Sequence, residues 1–322
     1  MVKKTVCRFC KWECHLLVEY DENNRVSSVR MNPKAPGTWC LTGKNVLGIV
    51  NNPARLRRPL QRCGAKGENK WRSIPWDKAI GIISREYKKI IAEYGRESLF
   101  FCTGYNKPLQ NNMLERLANV LQLPNRVTPG NMCYVPRIEA YKHTFGFMPQ
   151  NDINAKTKNI LLWGYNPGST NWRDAVMINK AVRQGARLIV IDPLETNHAQ
   201  GAFKWLPVKA GTDLALILGM INVIIQEQWY DRPFINQYTE GFAELVESLR
   251  DYTLDKTSIL TGLAQEDIRE TAQLFALERP SLILSGNAVE HNFDSFQKNR
   301  AFTILTAITG NVDIEGALIA DR

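Results

Sequence analysis

Four cysteines near the amino terminus constrain this chain more than any other feature. Cys7, Cys10 and Cys14 share one short segment and Cys40 follows at a distance, which gives the spacing C-x2-C-x3-C-x25-C. Structural zinc sites usually use two separate hooks, each with a pair of ligands for one tetrahedral ion. A cubane iron–sulfur cluster places four irons at different corners, and each needs its own thiolate. The spacing therefore favours a [4Fe–4S] cluster over zinc, and either over buried structural cysteines.

Composition and the first residues indicate where such a cluster would work. The chain has 322 residues and 7 cysteines, and no apolar signal region or twin arginine follows Met1. The odd number and the missing signal argue against a disulfide framework. The longest apolar run, residues 214–225, suits a buried helix and is too short to cross a bilayer. We expect a cytoplasmic protein in a reducing, oxygen-poor setting, with no membrane span.

The formal net charge of +9 at pH 7 indicates anionic ligands. Many of the cations lie between residues 55 and 72. A solvated basic surface would need no ligand, and nucleic-acid binding would need a motif that is missing. An iron–sulfur–thiolate centre and nucleotide phosphates would offset the excess charge. We therefore predict anionic cofactors and no nucleic-acid partner.

Length and hydrophobic periodicity predict an α/β chain with three regions. Residues 1–52 form a small β-rich module around the cysteines, with strands at 15–20 and 25–31. Residues 53–156 form a partial α/β domain, and residues 157–322 form a Rossmann-like α/β domain.

The partial domain begins with a linker that contains Pro53, Pro59 and Gly64. A helix then starts within residues 73–77 and runs to about Tyr94. Its predicted apolar face consists of Ile80, Ile83, Tyr87, Ile90 and Ile91. A short strand at 99–101 and a second amphipathic helix at 109–121 follow, and this alternation indicates an α/β core.

A βαβ segment is the main evidence for the third region. An apolar run ends in Gly164, a polar loop and a helix at 172–184 follow, and a second apolar run at 188–191 ends in Asp192-Pro193. Loops at the carboxyl ends of parallel strands bind phosphates, and an acidic residue there can hold a ribose or a base edge. Because the G-x-G-x-x-G pattern is missing, the residues alone predict only a nucleotide-bearing α/β domain.

Cys133 is a further candidate whose role the residues alone leave open. It follows a Pro-Gly loop and precedes a helical stretch, and a helix amino terminus favours the thiolate. A lone loop cysteine is more often a half-buried structural residue. For Cys63, Cys102 and His143 we keep the structural interpretation.

Several short motifs occur together along the chain. In order they are the cysteine loop 7–40, Ile74-Pro75-Trp76-Asp77, Cys133 with Gly146, Gly164-Tyr165-Asn166-Pro167, Asp192-Pro193, Gly211-Thr212-Asp213 and Thr309-Gly310-Asn311. This combination resembles the molybdenum/tungsten bis-pyranopterin guanine dinucleotide oxidoreductases over the whole chain. That family includes formate dehydrogenases, nitrate reductases and the tungsten enzyme acetylene hydratase. Within it, the segment 211–231 and the Met132-Cys133 pair are similar to acetylene hydratase.

The resemblance implies a role for individual positions. Cys7, Cys10, Cys14 and Cys40 would hold the [4Fe–4S] cluster, and Cys133 would be a ligand of molybdenum or tungsten. One molybdopterin guanine dinucleotide would contact Gly164, Asn166, Ser169, Thr170, Asp192, Pro193 and Asp213. A partner chain would complete the bis-pyranopterin site with the second dinucleotide.

The resemblance also implies a function and partners. The chain would be the amino-terminal part of the catalytic subunit of a molybdenum- or tungsten-dependent oxidoreductase, with electrons passing between the metal site and the cluster. Catalytic subunits of the family continue for roughly as many residues again. We therefore expect a second polypeptide to supply the carboxy-terminal half and much of the pocket for a small-molecule substrate. We also expect an iron–sulfur electron-transfer subunit near residues 7–40.

Departures from the family pattern keep two other classes open. Thr42 stands where a lysine usually lies between cluster and pterin, with Lys44 two residues further on. Tyr134 replaces the histidine of formate dehydrogenases, which argues against formate as the substrate. Lys11 replaces the catalytic aspartate of acetylene hydratase, which argues against hydration by that mechanism. The alternatives are a non-redox tungsten hydratase or lyase, and a non-catalytic iron–sulfur subunit that carries electrons or acts as a scaffold.

Overall fold

The computed structural model describes residues 1–10, 12–34, 39–104 and 108–320, so Lys11 lies outside the described residues. The chain forms two compact units, Met1–Pro129 and Gly130–Arg322. Cys133 therefore lies in the second unit, while the boundaries expected after residues 52 and 156 stay predictions. Within the described residues, no helix is both long enough and apolar enough to cross a membrane.

The first unit begins with an antiparallel sheet in the order β1-β2-β3. Its elements are β1 (Val2–Val6), β2 (His15–Tyr20), β3 (Val26–Met31), α1 (Leu41–Lys44) and α2 (Val46–Val50). β2 and β3 confirm the two predicted strands. Leu16 and Val18 are the buried residues of these strands. So little apolar burial cannot hold a module of this size without further support.

The rest of the first unit contains a β-hairpin, two long helices and a two-stranded parallel sheet. The elements are β4 (Leu60–Arg62), β5 (Trp71–Ser73), α3 (Trp76–Tyr94), β6 (Phe100–Cys102), α4 (Pro108–Leu121) and β7 (Asn125–Val127), with a 3-10 turn at Arg96–Ser98. The hairpin occupies the segment that we expected to be a linker, so that prediction was wrong. Both helices and β6 lie within a few residues of their predicted positions.

The second unit is built on a parallel sheet in the order β11-β10-β9-β12. Its strands are β9 (Asn159–Trp163), β10 (Arg187–Ile191), β11 (Lys204–Leu206) and β12 (Ser281–Ser285). A separate antiparallel pair joins β8 (Gln150–Asn151) to β13 (Leu318–Ile319). The chain runs from β9 to β10 and β11 on one side, then returns to place β12 on the other. The direction of winding therefore changes between β9 and β12, and ligands of such sheets bind at that switch point.

Helices cover both faces of this sheet. In chain order they are α5 (Tyr134–Phe145), α6 (Pro167–Thr170), α7 (Trp172–Arg183), α8 (Asn197–Gln200), α9 (Asp213–Gln226), α10 (Arg232–Tyr238), α11 (Phe242–Ser248), α12 (Leu254–Thr261), α13 (Gln265–Leu277), α14 (Asn287–Glu290) and α15 (Ser295–Ile308), with a 3-10 turn at Pro129–Met132 before α5. Every residue of β9 is buried. Leu161 and Trp163 pack into one core with α9, α13 and α15, while Ile160 and Leu162 pack into a second core with α7. This alternation is what a strand buried on both faces requires.

Candidate functional site

The loops after β9 and β12 meet at the switch point. The Gly286 N–H donates to the Trp163 carbonyl at 2.9 Å. A Cβ atom at Gly286 would lie 2.1 Å from the Gly164 carbonyl oxygen, and one at Gly164 would lie 3.1 Å from the Ala288 Cβ. Gly164 also has φ of +53°, which favours glycine. Both positions need glycine because a side chain would force the two loops apart.

The loop after β9 carries four of the residues expected to bind the dinucleotide, namely Gly164, Asn166, Ser169 and Thr170. Asn166 precedes α6, and its carbonyl accepts the N–H groups of Ser169 at 3.2 Å and Thr170 at 3.1 Å. Ser169 and Thr170 are exposed at this edge. The Tyr165 hydroxyl behind them donates to Asp174 at 2.7 Å, and burial together with that carboxylate raises the Tyr165 pKa.

The remaining dinucleotide candidates lie at the ends of neighbouring elements. Asp192 and Pro193 follow β10, and the Asp192 carboxylate accepts the Leu194 N–H at 2.8 Å. Asp213 begins α9 and accepts the Trp163 indole N–H at 2.8 Å. The structure thus brings the candidates after β9 and β10 to one edge of the sheet and ties Asp213 to the last residue of β9.

Cys133 lies at the amino terminus of α5 and points to the loop after β12. Its thiol donates to Glu290 Oε2 at 3.6 Å. Burial raises the Cys133 pKa, and the Glu290 carboxylate raises it further, while the Tyr134 N–H and Arg137 lower it. The expected thiolate preference of a helix amino terminus is therefore outweighed in the free protein. A metal cation would reverse this balance because thiolate is the ligating form.

Sequence reasoning missed the partners of this thiol, Arg137 and Glu290. The Arg137 Nε lies 2.6 Å from Glu290 Oε1, and the Glu290 side chain is 1% exposed. One signal was available, because an arginine four residues after a candidate ligand on a helix shares its face. Glu290 ends the short helix after Gly286, and only the fold brings it to Cys133.

The cysteine module in the first unit brings Cys7 into electrostatic range of the other three cysteine thiols. The Cys7 N–H donates to the Cys14 carbonyl at 2.8 Å, and the Cys40 sulfur accepts the Gly43 N–H at 3.3 Å. Burial raises the Cys7 pKa, a backbone hydrogen bond at Phe9 lowers it, and Cys10, Cys14 and Cys40 raise it further. In the described part of the chain, no three His, Cys, Asp or Glu side chains converge on one metal ion. A cubane cluster does not need such convergence, since each iron takes one thiolate.

Other positions singled out from the sequence fall as follows. Thr42 and Lys44 are exposed on α1, and Tyr134 is 44% exposed at the start of α5. Cys63 and Cys102 are exposed, and Cys102 ends β6, so the expectation that they are half-buried loop cysteines was wrong. His143 packs edge-on against Phe296 with ring centroids 6.0 Å apart, which agrees with the structural interpretation. His143 also lines an aromatic cavity of about 950 Å³, three helical turns along α5 from Cys133.

The chain thus combines a cysteine-rich amino-terminal module with a doubly wound α/β unit. Loop residues and a thiol line the switch point of that unit, and together these features define a class of protein. Residues 1–52 match the molybdopterin oxidoreductase Fe4S4 domain, and residues 55–320 match the molybdopterin oxidoreductase model. The chain belongs to the molybdopterin oxidoreductase family, which confirms the predicted family and fold class. The family implies a [4Fe–4S] cluster and a molybdopterin cofactor with molybdenum or tungsten.

Individual relatives agree with this assignment. Acetylene hydratase from Syntrophotalea acetylenica is 35% identical, over 98% of this chain and 44% of that protein. The solved structure of acetylene hydratase from Pelobacter acetylenicus matches with a TM-score of 0.84 at 34% identity, over 98% of this chain and 44% of that one. The molybdopterin-containing subunit of thiosulfate reductase from Salmonella typhimurium is 28% identical, over 98% of this chain and 42% of that protein. The chain thus spans less than half the length of these relatives.

The residues present fit the groups that the family implies. Four thiols in one module match the donor set of a cubane cluster. At the switch point, Gly164 and Gly286 bring two backbones to a distance that no side chain would allow, and exposed hydroxyls and Cys133 lie on the adjoining loops.

Proposed function

We propose that this chain is the amino-terminal part of the catalytic unit of a molybdenum- or tungsten-dependent oxidoreductase that acts on a small molecule in the cytoplasm. The observation that carries the proposal is the position of Cys133, whose thiol faces the loop after β12 at the switch point of the sheet. A thiol at a ligand-binding edge, in a family that carries a metal–pterin group, is a natural ligand for that metal.

Each group of residues has a distinct role in this proposal. Cys7, Cys10, Cys14 and Cys40 hold the cluster, and Cys133 binds the metal. The exposed Ser169 hydroxyl donates a hydrogen bond to phosphate, and Asp192 accepts from a ribose or a base edge. Thr170 contacts the dinucleotide beside Ser169, while its own hydroxyl donates to the Asn166 carbonyl at 2.8 Å. Gly164, Asn166, Pro193 and Asp213 shape the same edge. The metal–pterin group supplies the redox chemistry when bound, and the protein supplies binding, orientation and electrostatics.

Exposed apolar side chains in the first unit are the evidence for a partner polypeptide. On α3, Trp76, Ile80 and Ile83 are 65%, 59% and 52% exposed. They continue the stripe that Tyr87 and Ile90 form where they pack against the small core. The apolar face of α3 is thus covered over only its second half, and exposed patches of this kind mark interaction sites.

The second helix of this unit repeats the pattern. Leu114, Ala118 and Leu121 face the small core, whereas Leu109, Met113, Leu117 and Val120 form an exposed stripe along α4. β6 and β7 form a two-stranded sheet, and each has an unpaired edge within the described residues. We infer that a polypeptide equivalent to the carboxy-terminal half of the relatives covers these helices and completes the bis-pyranopterin site. We further propose that an iron–sulfur electron-transfer subunit docks near residues 7–40.

Elemental analysis of the anaerobically purified native protein, with its co-purifying chains, tests this function. We expect about four irons per amino-terminal chain, together with molybdenum or tungsten. We also expect the protein to turn over a small-molecule substrate in an assay with a redox dye. Iron without either metal would instead identify a non-catalytic electron-transfer or scaffold subunit.

A second candidate function is a non-redox tungsten hydratase or lyase. The observation that favours it is the 35% identity to acetylene hydratase, together with Thr42 at the position where the family usually has a cluster-to-pterin lysine. This candidate requires tungsten and turnover that is independent of any redox dye. Dye-dependent turnover would therefore decide between the two candidates.

A further inference from the structure

Arg137 connects the first turn of α5 to the end of β12. Its Nη2 donates to the Ser285 carbonyl at 2.8 Å, and its Nε lies 2.6 Å from Glu290 Oε1. The planar guanidinium makes both contacts at once, which a single ammonium group cannot do. Four residues earlier, directly before α5, the Cys133 thiol donates to the other Glu290 oxygen at 3.6 Å.

Because Glu290 is buried, separating its carboxylate from Arg137 would be energetically costly. The Glu290 side chain is 1% exposed and the Arg137 side chain 24%. A buried carboxylate needs a cation or hydrogen-bond donors to offset the loss of hydration, and Arg137 supplies the cation. Glu290 therefore cannot move away from Arg137 without becoming a buried unpaired charge.

The loop that carries Glu290 is itself fixed to the loop after β9. The Gly286 N–H holds the Trp163 carbonyl at 2.9 Å, and no space remains for a side chain between Gly286 and the Gly164 carbonyl. A continuous set of contacts thus runs from the loop after β9, through Gly286 and Glu290, to Arg137 and Cys133.

We propose that Arg137 and Glu290 are positioning residues, which fix the backbone at Cys133 at a set distance from the loop after β9. The Arg137 contacts to Ser285 and Glu290 do not involve the Cys133 sulfur. They can therefore remain when that sulfur binds a metal. This inference rests on the proposed function in naming a metal as the group that Cys133 binds. Partners that orient a metal ligand in this way typically account for about 10- to 100-fold in metal affinity or activity.

The test uses the cofactor-loaded protein with its partner chain. Arg137→Lys keeps the positive charge but cannot contact Ser285 and Glu290 at the same time, so we expect turnover to fall about 10- to 100-fold. X-ray absorption at the metal edge should show the protein sulfur lost from the metal–sulfur shell or spread over several distances. Glu290→Ala should behave in the same way. Glu290→Gln keeps an oxygen that can accept from Arg137, so it should restore the metal–sulfur shell.

The exposed Lys142–Glu139 pair on the same helix provides the matched control, since its atoms lie 3.3 Å apart and both side chains face solvent. Glu139→Gln and Lys142→Met should leave the metal–sulfur shell and turnover unchanged. Where Glu290→Ala fails to fold, as judged by iron content and melting, Arg137→Lys decides, because it leaves a cation beside Glu290.

Two negative results have different meanings. If Arg137→Lys and Glu290→Ala keep the normal metal–sulfur shell while Cys133→Ala alters it, the positioning inference is wrong and the assignment of Cys133 stands. If Cys133→Ala itself leaves that shell unchanged, Cys133 is not a metal ligand and the proposed function loses its main support.

Discussion

The two units of this chain bury their apolar side chains to very different degrees. In the second unit, every residue of β9 is buried and helices pack on both faces of the sheet. In the first unit, α3 runs over Trp76–Tyr94 without one buried residue in its described length. The second unit therefore has an extensive core, whereas the first has only the small core of Leu99, Phe101, Ala118 and Leu123. We expect the first unit to depend on groups that it binds.

The cluster is the first of those groups, and its loss should have the largest effect. Cys10→Ala removes one of the thiolates, so we expect iron to be lost and residues 1–50 to lose hydrogen-exchange protection. The second unit should keep its protection, because metal binding and folding are coupled only in the module that holds the ligands. The exposed Cys63 offers a control, and Cys63→Ala should change neither measurement. One tightly bound zinc without acid-labile sulfide would contradict the cluster assignment.

The cluster ligands and the main strands could be predicted because their signals are local. Four cysteines within the first forty residues determine a donor set by spacing alone. The strands β9 and β10 are unbroken apolar runs that end in Gly164 and Asp192, as strands buried on both faces do. These features need no knowledge of distant parts of the chain.

The features that sequence reasoning missed depend on contacts between distant segments or on weak local patterns. Glu290 meets Cys133 and Arg137 only after the sheet forms, so nothing near it in the sequence identifies its role. The hairpin of β4 and β5 has no buried residue and is stabilised by polar contacts such as Arg72 to Gln61 at 2.9 Å. Such a segment carries no apolar alternation for a strand prediction to detect.

The uncovered stripes of the first unit should give the next largest effect. Met113→Glu on α4 places a charge on a side chain that is 61% exposed. We expect little change in the stability of the chain alone but a loss of about 2 kcal/mol or more in association with the partner polypeptide, as for a buried interface residue. Titration calorimetry measures this. Lys88→Glu, on α3 outside the apolar stripe, serves as the control. Equal binding by both variants would mean that the α4 stripe is not an interface.

In the second unit, the close contact of two loops makes stability sensitive to added side-chain volume. We expect this effect to be smaller than the loss of partner binding. Gly286→Ala would place a Cβ atom 2.1 Å from the Gly164 carbonyl oxygen, so the loops must separate. We expect the free energy of unfolding to fall by about 1–3 kcal/mol, which is typical of overpacking. Gly201→Ala is matched, because Gly201 has φ of −104° and no atom within 4 Å of an added Cβ. Chemical denaturation measures the free energy of unfolding of both variants. Equal values for Gly286→Ala and Gly201→Ala would contradict the prediction.

The smallest effect should have the opposite sign and lie in the first unit. Gly81 is within α3, and an added Cβ there would meet nothing within 4 Å. An exposed helix interior gains about 1 kcal/mol when alanine replaces glycine, because alanine has less backbone entropy to lose. Hydrogen exchange of the α3 amides should slow by the corresponding amount in Gly81→Ala. Glycine-to-alanine changes would then stabilise the open unit and destabilise the close-packed one. Slower exchange in Gly286→Ala, or faster exchange in Gly81→Ala, would show that the two units do not differ in packing in this way.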